Sequence, residues 1–450
     1  MNIGMFQSFV TRHWFSAEAG RIWSDEATLQ AWLDVEAALA AAQAELGLIP
    51  AEAARTIAAC ADARQFDTEA LAGEIAFAQH PLVPVLHRFE ALCGEPAAGW
   101  LHWGATTQNI FDTAAALQMH RTQRLIDAAL ADALEALAGH ARTHRDTPMA
   151  GRTHGQHALP MTFGFKLAGW IDELDRDRQR LAQRLGDSFP ACMGGAIGSF
   201  AATGAAGRQV EALLARRLGL QAAGLPSRAS YDRAADYLGA LGLLAGTAQK
   251  IAQDLVFLQR TEVGEAAESF HHGKVGSSTM AQKRNPSSAL LLASLARLLR
   301  VRVPAALEAM VRMDEGDSSA TNVTDTLLPE LAILGASVAQ ALARLAQGLV
   351  VDAAAMRRNL GLTRGLIASE AAMMVLARQI GRHAAHRLLY DAAQQAQAGG
   401  ITLLEALAAQ PRFAPAGVPA ELAAALAPEA YVGESAALTD ATLARVALPR

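Results

Sequence analysis

YLGALGLLAGTAQKIAQDLVFL, residues 237–258, is the stretch whose spacing decides the fold. Its positions Tyr237, Leu241, Leu244, Ala248, Ile251, Leu255 and Leu258 alternate steps of four and three, which keeps one stripe of a helix facing a neighbour over about three heptads. The stripe fits either an in-chain core or a seam shared between subunits. Both require a bundle of long helices.

The same helical spacing recurs on either side. Residues 24–46, SDEATLQAWLDVEAALAAAQAEL, open on a Ser-Asp-Glu cap signal and stop at Gly47 and Pro50. Longer periodic runs extend from Thr113 to Ala141 and from Phe163 to Leu185, the second aligning Phe163, Leu167, Trp170, Leu174, Leu181 and Leu185. Of the 450 residues, 52% are hydrophobic but only 5% aromatic, so helix formers outnumber the residues that fill strands. The expectation is an all-α protein with a large core.

A net charge of -5 without blocks of like charge argues against nucleic acid or an anionic membrane surface as partner and favours a small molecule. Cys60, Cys93 and Cys192 are widely spaced and odd in number, which fits buried thiols in a reducing, cytoplasmic compartment. MNIGMFQSFVTRHW lacks a basic segment followed by an apolar core, and no later stretch holds about 18 uninterrupted apolar residues. The chain is therefore expected neither to be exported by that route nor to span a membrane.

Loops rich in Gly, Pro and polar residues are expected at 99–112, 146–162, 187–208, 264–287 and 314–329, near the ends of the rods, where polar chemistry can sit. From about 350 the helices shorten, broken by Gly361, Gly381, Gly399 and PRFAPAGVP. This gives an N-terminal helical domain (1–112), a central long-helix bundle with the catalytic loops (113–349) and a small C-terminal helical domain (350–450).

Three polar segments carry candidate chemistry. HWGATTQNIFDTA (102–114) presents Thr106, Thr107, Gln108 and Asn109 ahead of a helix expected to start at Asp112 and Thr113, and reads as a carboxylate cradle or an ordinary capping loop. GRTHGQHALPMTFG (151–164) offers Thr153, His154, Gln156 and His157. Histidine gives or takes protons near neutral pH, while the pair lacks the third ligand that a metal needs. GSSTMAQKRNP (276–286) matches neither G-x-x-x-x-G-K-[ST] nor G-x-S-x-G. It reads as a basic surface loop, or as a glycine-hinged lid over a bound anion.

In this order the three segments resemble the fumarase/aspartase superfamily, whose signature runs GSSxMPxKxN. RIWSDEATLQAWLDVEAALAAAQAELGLIP and GLTRGLIASEAAMMVLARQIGR are similar to its adenylosuccinate lyase and 3-carboxy-cis,cis-muconate cycloisomerase branch. The resemblance implies very long central helices flanked by two smaller helical domains. It also implies a homotetramer whose active sites each draw on three subunits; neither cofactor nor metal is expected. It implies anti β-elimination from a succinyl unit, releasing fumarate, or the reverse addition. Removing a weakly acidic C–H beside a carboxylate leaves an aci-carboxylate, whose stabilisation is the main task.

By the same resemblance, Ser277 takes the proton. A serine does so only where backbone N–H groups and a nearby cation favour its alkoxide. Lys283 and Asn285 hold substrate carboxylates with Thr106, Thr107 and Thr153, and His154 acts on the leaving group. Asn109, Gln156, Ser278 and Met280 complete the expected substrate-binding set.

Where the sequence departs from the pattern, the substrate is at issue. The signature proline is Ala281, and the usual Thr-Ser-x-Asp reads Thr106-Thr107-Gln108-Asn109, losing a negative charge. Around Asp317-Ser318-Ser319 the two arginines of adenylosuccinate lyases are replaced by Met313 and Asn322, with Arg312 one position away, which disfavours adenylosuccinate. AQHPLVPVLHRF (78–89) resembles the cycloisomerases, yet bacterial members of that branch commonly lack the histidine kept here as His154. The expectation is elimination of an amine from an N-substituted aspartate, with an oxygen leaving group ranked second. The cycloisomerase is the alternative, and a catalytically silent scaffold, as in lens proteins, is disfavoured by retention of Ser277, Lys283, Asn285 and His154. Contact of Arg233 or Arg312 with substrate stays open.

Overall fold

The computed structural model describes residues 5–271, 273 and 275–446. Met1–Gly4 of the N-terminal segment, His272 and Lys274 of the 264–287 loop, and the last four residues lie outside the described set. In chain order the principal helices and strands are α1 (Asp25–Glu45), α2 (Thr107–Thr143), β1 (Pro148–Thr153), β2 (Gln156–Thr162), α3 (Phe163–Ser188), α4 (Asp232–Leu258), β3 (Ala266–Glu268), α5 (Ser287–Arg300), α6 (Ser318–Gln347), β4 (Leu349–Val351), α7 (Ala353–Leu360), α8 (Ser369–Ile380) and α9 (Arg382–Gly399). Helices dominate, and among the described residues the strands pair as two short antiparallel ladders, β1 with β2 and β3 with β4.

The deciding stripe on α4 is an in-chain core. Tyr237, Leu241, Leu244, Ala248, Ile251, Leu255 and Leu258 are each at most 3% exposed within the single chain. Each large side chain so placed stabilises the fold by about 1.5–3 kcal/mol. The Tyr237 hydroxyl, which could not be buried alone, donates to Gln123 Oε1.

The chain divides into two compact units, the first made of residues up to Leu130, Arg176–Gln249 and Leu291–Leu342. There Ser24 caps α1 by accepting from Ala27 N (3.2 Å). α2 starts at Thr107, earlier than its apolar periodicity indicates. The reason is a reciprocal cap, in which Asn109 Oδ1 accepts from Thr106 N (3.1 Å) while Thr106 O accepts from Asn109 N (2.9 Å).

The region 314–329 is likewise largely helical, because α6 begins at Ser318 and runs through Pro329. An interior proline removes a hydrogen bond at a cost of about 3 kcal/mol. Burial of Leu327, Leu328, Leu331 and Leu334 offsets it, and Asp317 fastens the start of the helix by accepting from Ser319 N (2.9 Å). By length and composition α6 could cross a membrane, but 78% of its apolar window is buried inside the protein.

The second unit comprises Ala131–Asp175, Lys250–Leu290 and the residues from Ala343 on. Its main departure from expectation is 146–162, which forms the β1–β2 hairpin rather than an irregular loop. His154 (φ 53°) and Gly155 (φ 79°) make the two-residue connection, both left-handed, as a type I′ turn demands. Gly151 sits where the register shifts, its position so close to the other strand that a Cβ would lie 2.9 Å from Leu159 O. A separate C-terminal core gathers Leu376, Leu389, Leu403, Leu407, Phe413 and Leu422.

Candidate active site

The expected site residues fall in both units. Thr106, Thr107 and Asn109 belong to the first; Thr153, His154, Gln156, Ser277, Ser278, Met280, Lys283 and Asn285 belong to the second.

In the first unit the polar loop ahead of α2 is fixed from beneath. On the buried face of α1, Glu36 and Gln43 interrupt the leucines: Glu36 Oε1 lies 2.6 Å from His102 Nδ1, and Gln43 Nε2 donates to Trp103 O at 2.6 Å. A carboxylate only accepts, so His102 carries its proton on Nδ1 and leaves Nε2 as an acceptor while neutral. His102 adopts φ 55°, turning the chain toward Gly104. Thr106 and Thr107 are partly exposed at the head of α2. Asn109 is only 1% exposed, its Oδ1 also accepting from Gly195 N (3.1 Å), so it ties this loop to the 194–198 turn. Thr113 Oγ1 bonds both the N–H and the carbonyl of Cys192 (3.1 and 3.3 Å). One turn along α2, Asp112 accepts from Gln108 Nε2 (2.7 Å), and burial of its carboxyl raises its pKa to about 6 against the pull of Arg312 and Arg228.

In the second unit the hairpin is anchored at its base. Arg152, on β1, meets Glu265 in a two-pronged ion pair (2.6 and 2.8 Å), and Asn359 Nδ2 donates to the same carboxylate at 2.8 Å and to Val263 O at 2.7 Å. The Arg152 guanidinium also stacks on Phe257 at 5.3 Å. Thr153 pairs with Gln156 across the tip, so Thr153, His154 and Gln156 stand exposed on a braced support. His157 faces inward instead, its Nδ1 buried without a hydrogen-bond partner among the described residues and its pKa lowered first by burial and then by Arg152.

The signature segment is a loop with pinned ends. Gly276 lies so close to the returning chain that a Cβ would meet Lys283 O at 2.4 Å. Gln259 Nε2 holds Arg284 O (3.1 Å), and the Arg284 side chain covers Phe270 (4.8 Å). Beyond the loop, the Glu268 carboxylate caps α5, accepting from Ser288 N (2.9 Å) and Ala289 N (3.0 Å). Ser277 Oγ accepts backbone N–H groups from Thr279 (3.3 Å) and Met280 (3.1 Å). Ser278, Met280 and Lys283 are exposed, while Asn285 is partly buried.

The structure thus joins Ser277 to Met280 and Thr153 to Gln156. Among the described residues no hydrogen bond or ion pair links 153–156 to 277–285 within the second unit. Two features escaped sequence reading. The Glu36–His102 pair had a usable signal, charged and amide residues on an apolar helical stripe. The meeting of Arg312 with Arg228 and Tyr231 had none, because it joins two loops far apart in the chain.

Long buried helices that carry polar loops at their ends make this a helical protein, and its relatives include lyases and cycloisomerases. The chain belongs to the fumarase/aspartase superfamily: a lyase family model matches residues 16–300, and an adenylosuccinate lyase C-terminus model matches 365–442. It is 37% identical to the N-acetyl-S-(2-succino)cysteine lyase of Enterococcus italicus over 95% of this chain and 94% of that protein. It is 39% identical to the 3-carboxy-cis,cis-muconate cycloisomerase of Pseudomonas aeruginosa, over 96% and 95%. The crystal structure of the 3-carboxy-cis,cis-muconate lactonizing enzyme from Pseudomonas putida superposes with a TM-score of 0.89 at 35% identity, covering 96% of this chain and 97% of that one. The protein is an enzyme of this superfamily.

Proposed function

We propose that this enzyme catalyses anti β-elimination from a substituted succinate, releasing fumarate from an adduct joined through nitrogen or sulfur. The observation that carries the reading is the Ser277 Oγ accepting two backbone N–H bonds, since these donors would favour its alkoxide. In the forward direction Ser277 Oγ takes the proton beside the distal carboxylate, and the electron pair moves into that carboxylate as an aci-carboxylate. The pair then returns to form the alkene as the bond to the leaving atom breaks. Lys283 and Asn285 offset the added charge, and His154 gives the departing atom its proton. Thr106, Thr107, Thr153, Gln156, Ser278 and Met280 line the substrate, with Asn109 holding the Thr106–Thr107 loop in place.

The retained His154 favours an amine leaving group, and the activity named for the Enterococcus italicus relative adds a thiol. Both give fumarate by the same steps. The second reading is cycloisomerisation of a carboxymuconate, favoured by the name of the Pseudomonas aeruginosa relative. The working form is a homotetramer with active sites shared between subunits. The exposed Leu225, Val301, Leu307, Val311 and Met313 of the first unit supply apolar surface for such assembly. Cys60, Cys93 and Cys192 as free thiols fit a cytoplasmic setting.

The test is a panel of N-(2-succinyl) and S-(2-succinyl) adducts, adenylosuccinate and 3-carboxymuconate, read by absorbance and product chromatography. Fumarate from the adducts is the expected result. Lactone from carboxymuconate with no fumarate from any adduct would replace this reading with the second.

A further inference from the structure

The strongest unassigned feature lies in the first unit, where the Arg312 guanidinium reaches the backbone of Arg228 and, among the described residues, no carboxylate is bonded to either arginine. Arg312 Nη1 donates to the backbone carbonyl of Arg228 at 3.1 Å, and its Nε donates to Ala309 O at 3.0 Å. Its guanidinium lies 4.7 Å from the centre of the Tyr231 ring. Arg228 Nη1 donates to Ala196 O at 2.5 Å, while Arg228 Nε and the Tyr231 hydroxyl are buried with no hydrogen-bond partner among the described residues. Both cations are therefore fixed in place by carbonyls and an aromatic face, which orient guanidinium groups without neutralising them.

Arg228 and Arg312 influence the Asp112 carboxyl, and Gln108 connects Asp112 to the Thr106–Thr107 loop of the same unit. Asp325 also feels Arg312. Neither carboxyl lies within ion-pair distance of these arginines among the described residues, and burial disfavours the ionised form of both. Guanidinium groups left without an anion complement an oxyanion, which accepts in a forked geometry.

We infer that Arg228 and Arg312, with the Tyr231 hydroxyl, bind an oxyanion carried by the leaving group, so that the enzyme selects succinyl adducts whose leaving group bears a carboxylate. The inference rests on the β-elimination reading. It adds a specificity-determining pair beside the Thr106–Thr107 loop, separate from the groups that hold the succinyl carboxylates. Neither arginine touches the reacting atoms in this scheme.

The experiment compares two thioether substrates of the full-length protein, the S-(2-succinyl) adducts of N-acetylcysteine and of N-acetylcysteamine, which differ in one carboxylate. The wild type should prefer the first by about 10- to 100-fold in kcat/KM, the scale of a charge-assisted hydrogen bond. Arg228→Gln and Arg312→Gln should each shrink that ratio at least about fivefold, with Arg228→Lys intermediate. Because both substrates are read on one preparation, partial unfolding lowers both rates and leaves the ratio. No preference in the wild type, or an unchanged ratio in both variants, overturns the inference. Stronger selection of adenylosuccinate that collapses in the same variants supports the site and makes phosphate its oxyanion. If no adduct is turned over, the functional reading falls, and calorimetry with N-acetylcysteine and inorganic phosphate judges the site. Saturable binding lost in both variants supports it, and no binding to the wild type removes it.

Discussion

His102 Nδ1 lies 2.6 Å from Glu36 Oε1, a carboxylate side chain only 1% exposed on the core face of α1. Among the described residues the second carboxylate oxygen has no hydrogen-bond partner, and the first meets His102. The effect is to fix the imidazole tautomer at the head of the Thr106–Thr107 loop.

Glu36→Gln preserves the shape but lets the side chain either donate or accept, releasing the tautomer. kcat/KM should fall about 10- to 100-fold while the thermal midpoint changes little, since the buried volume is kept. Steady-state kinetics with any turned-over substrate checks this. An unchanged kcat/KM would make the pair a packing feature.

The Arg152–Glu265 pair brings a different consequence, because Glu265 is fully buried and Arg152 is 13% exposed. Glu265→Ala leaves a largely buried guanidinium without its partner and strips Asn359 of an acceptor. A loss of about 3–5 kcal/mol is expected in urea unfolding. A loss below about 1 kcal/mol would mean that Arg152 reaches water and does not anchor the hairpin that presents His154.

The helices were legible because their signal is local: the stripe on α4 and the Ser24 cap need no knowledge of partners. The hairpin was not, since His154–Gly155 lacks the Asn-Gly or Asp-Gly pair that marks a type I′ turn, and Pro160 argues against a strand. Pro329 misled for a tertiary reason, as the leucines around it are buried deeply enough to carry the helix past it. At the site, the family motifs pointed to Ser277 and His154 as residues. The backbone N–H bonds on Ser277 Oγ and the meeting of Arg228 with Arg312 depend on how loops fold back.

Asp112 sets a pH dependence. Its folded pKa of about 6, raised mainly by burial, exceeds its ordinary value of 3.8, so the folded state binds this proton more tightly than the unfolded chain. Ionisation therefore costs stability above about pH 6, and the penalty disappears as pH falls below 3.8. Asp112→Asn keeps an acceptor for Gln108 and removes the charge. The variant should be more stable than the wild type at pH 8, with the advantage fading between pH 6 and 4. Denaturant midpoints across that range check it, and an advantage that grows toward acid would contradict the assigned direction.

The signature loop yields the sharpest pair of variants. Gly276→Ala would force a Cβ to 2.4 Å from Lys283 O and 3.3 Å from Arg284 Cα, backbone atoms that cannot swing aside like a side chain. The pinned ends must separate, carrying Ser277 and Lys283 out of register, and misplacement of about 1 Å can lower a rate about 100-fold. Ser277→Ala leaves the loop path intact and removes only the oxygen that accepts from Thr279 and Met280. Both variants should keep a thermal midpoint near that of the wild type, because the loop is largely exposed. In fumarate release, Gly276→Ala should retain a small residual rate and Ser277→Ala none above background. A Ser277→Ala enzyme that turns over at the wild-type rate would show that another group takes the proton.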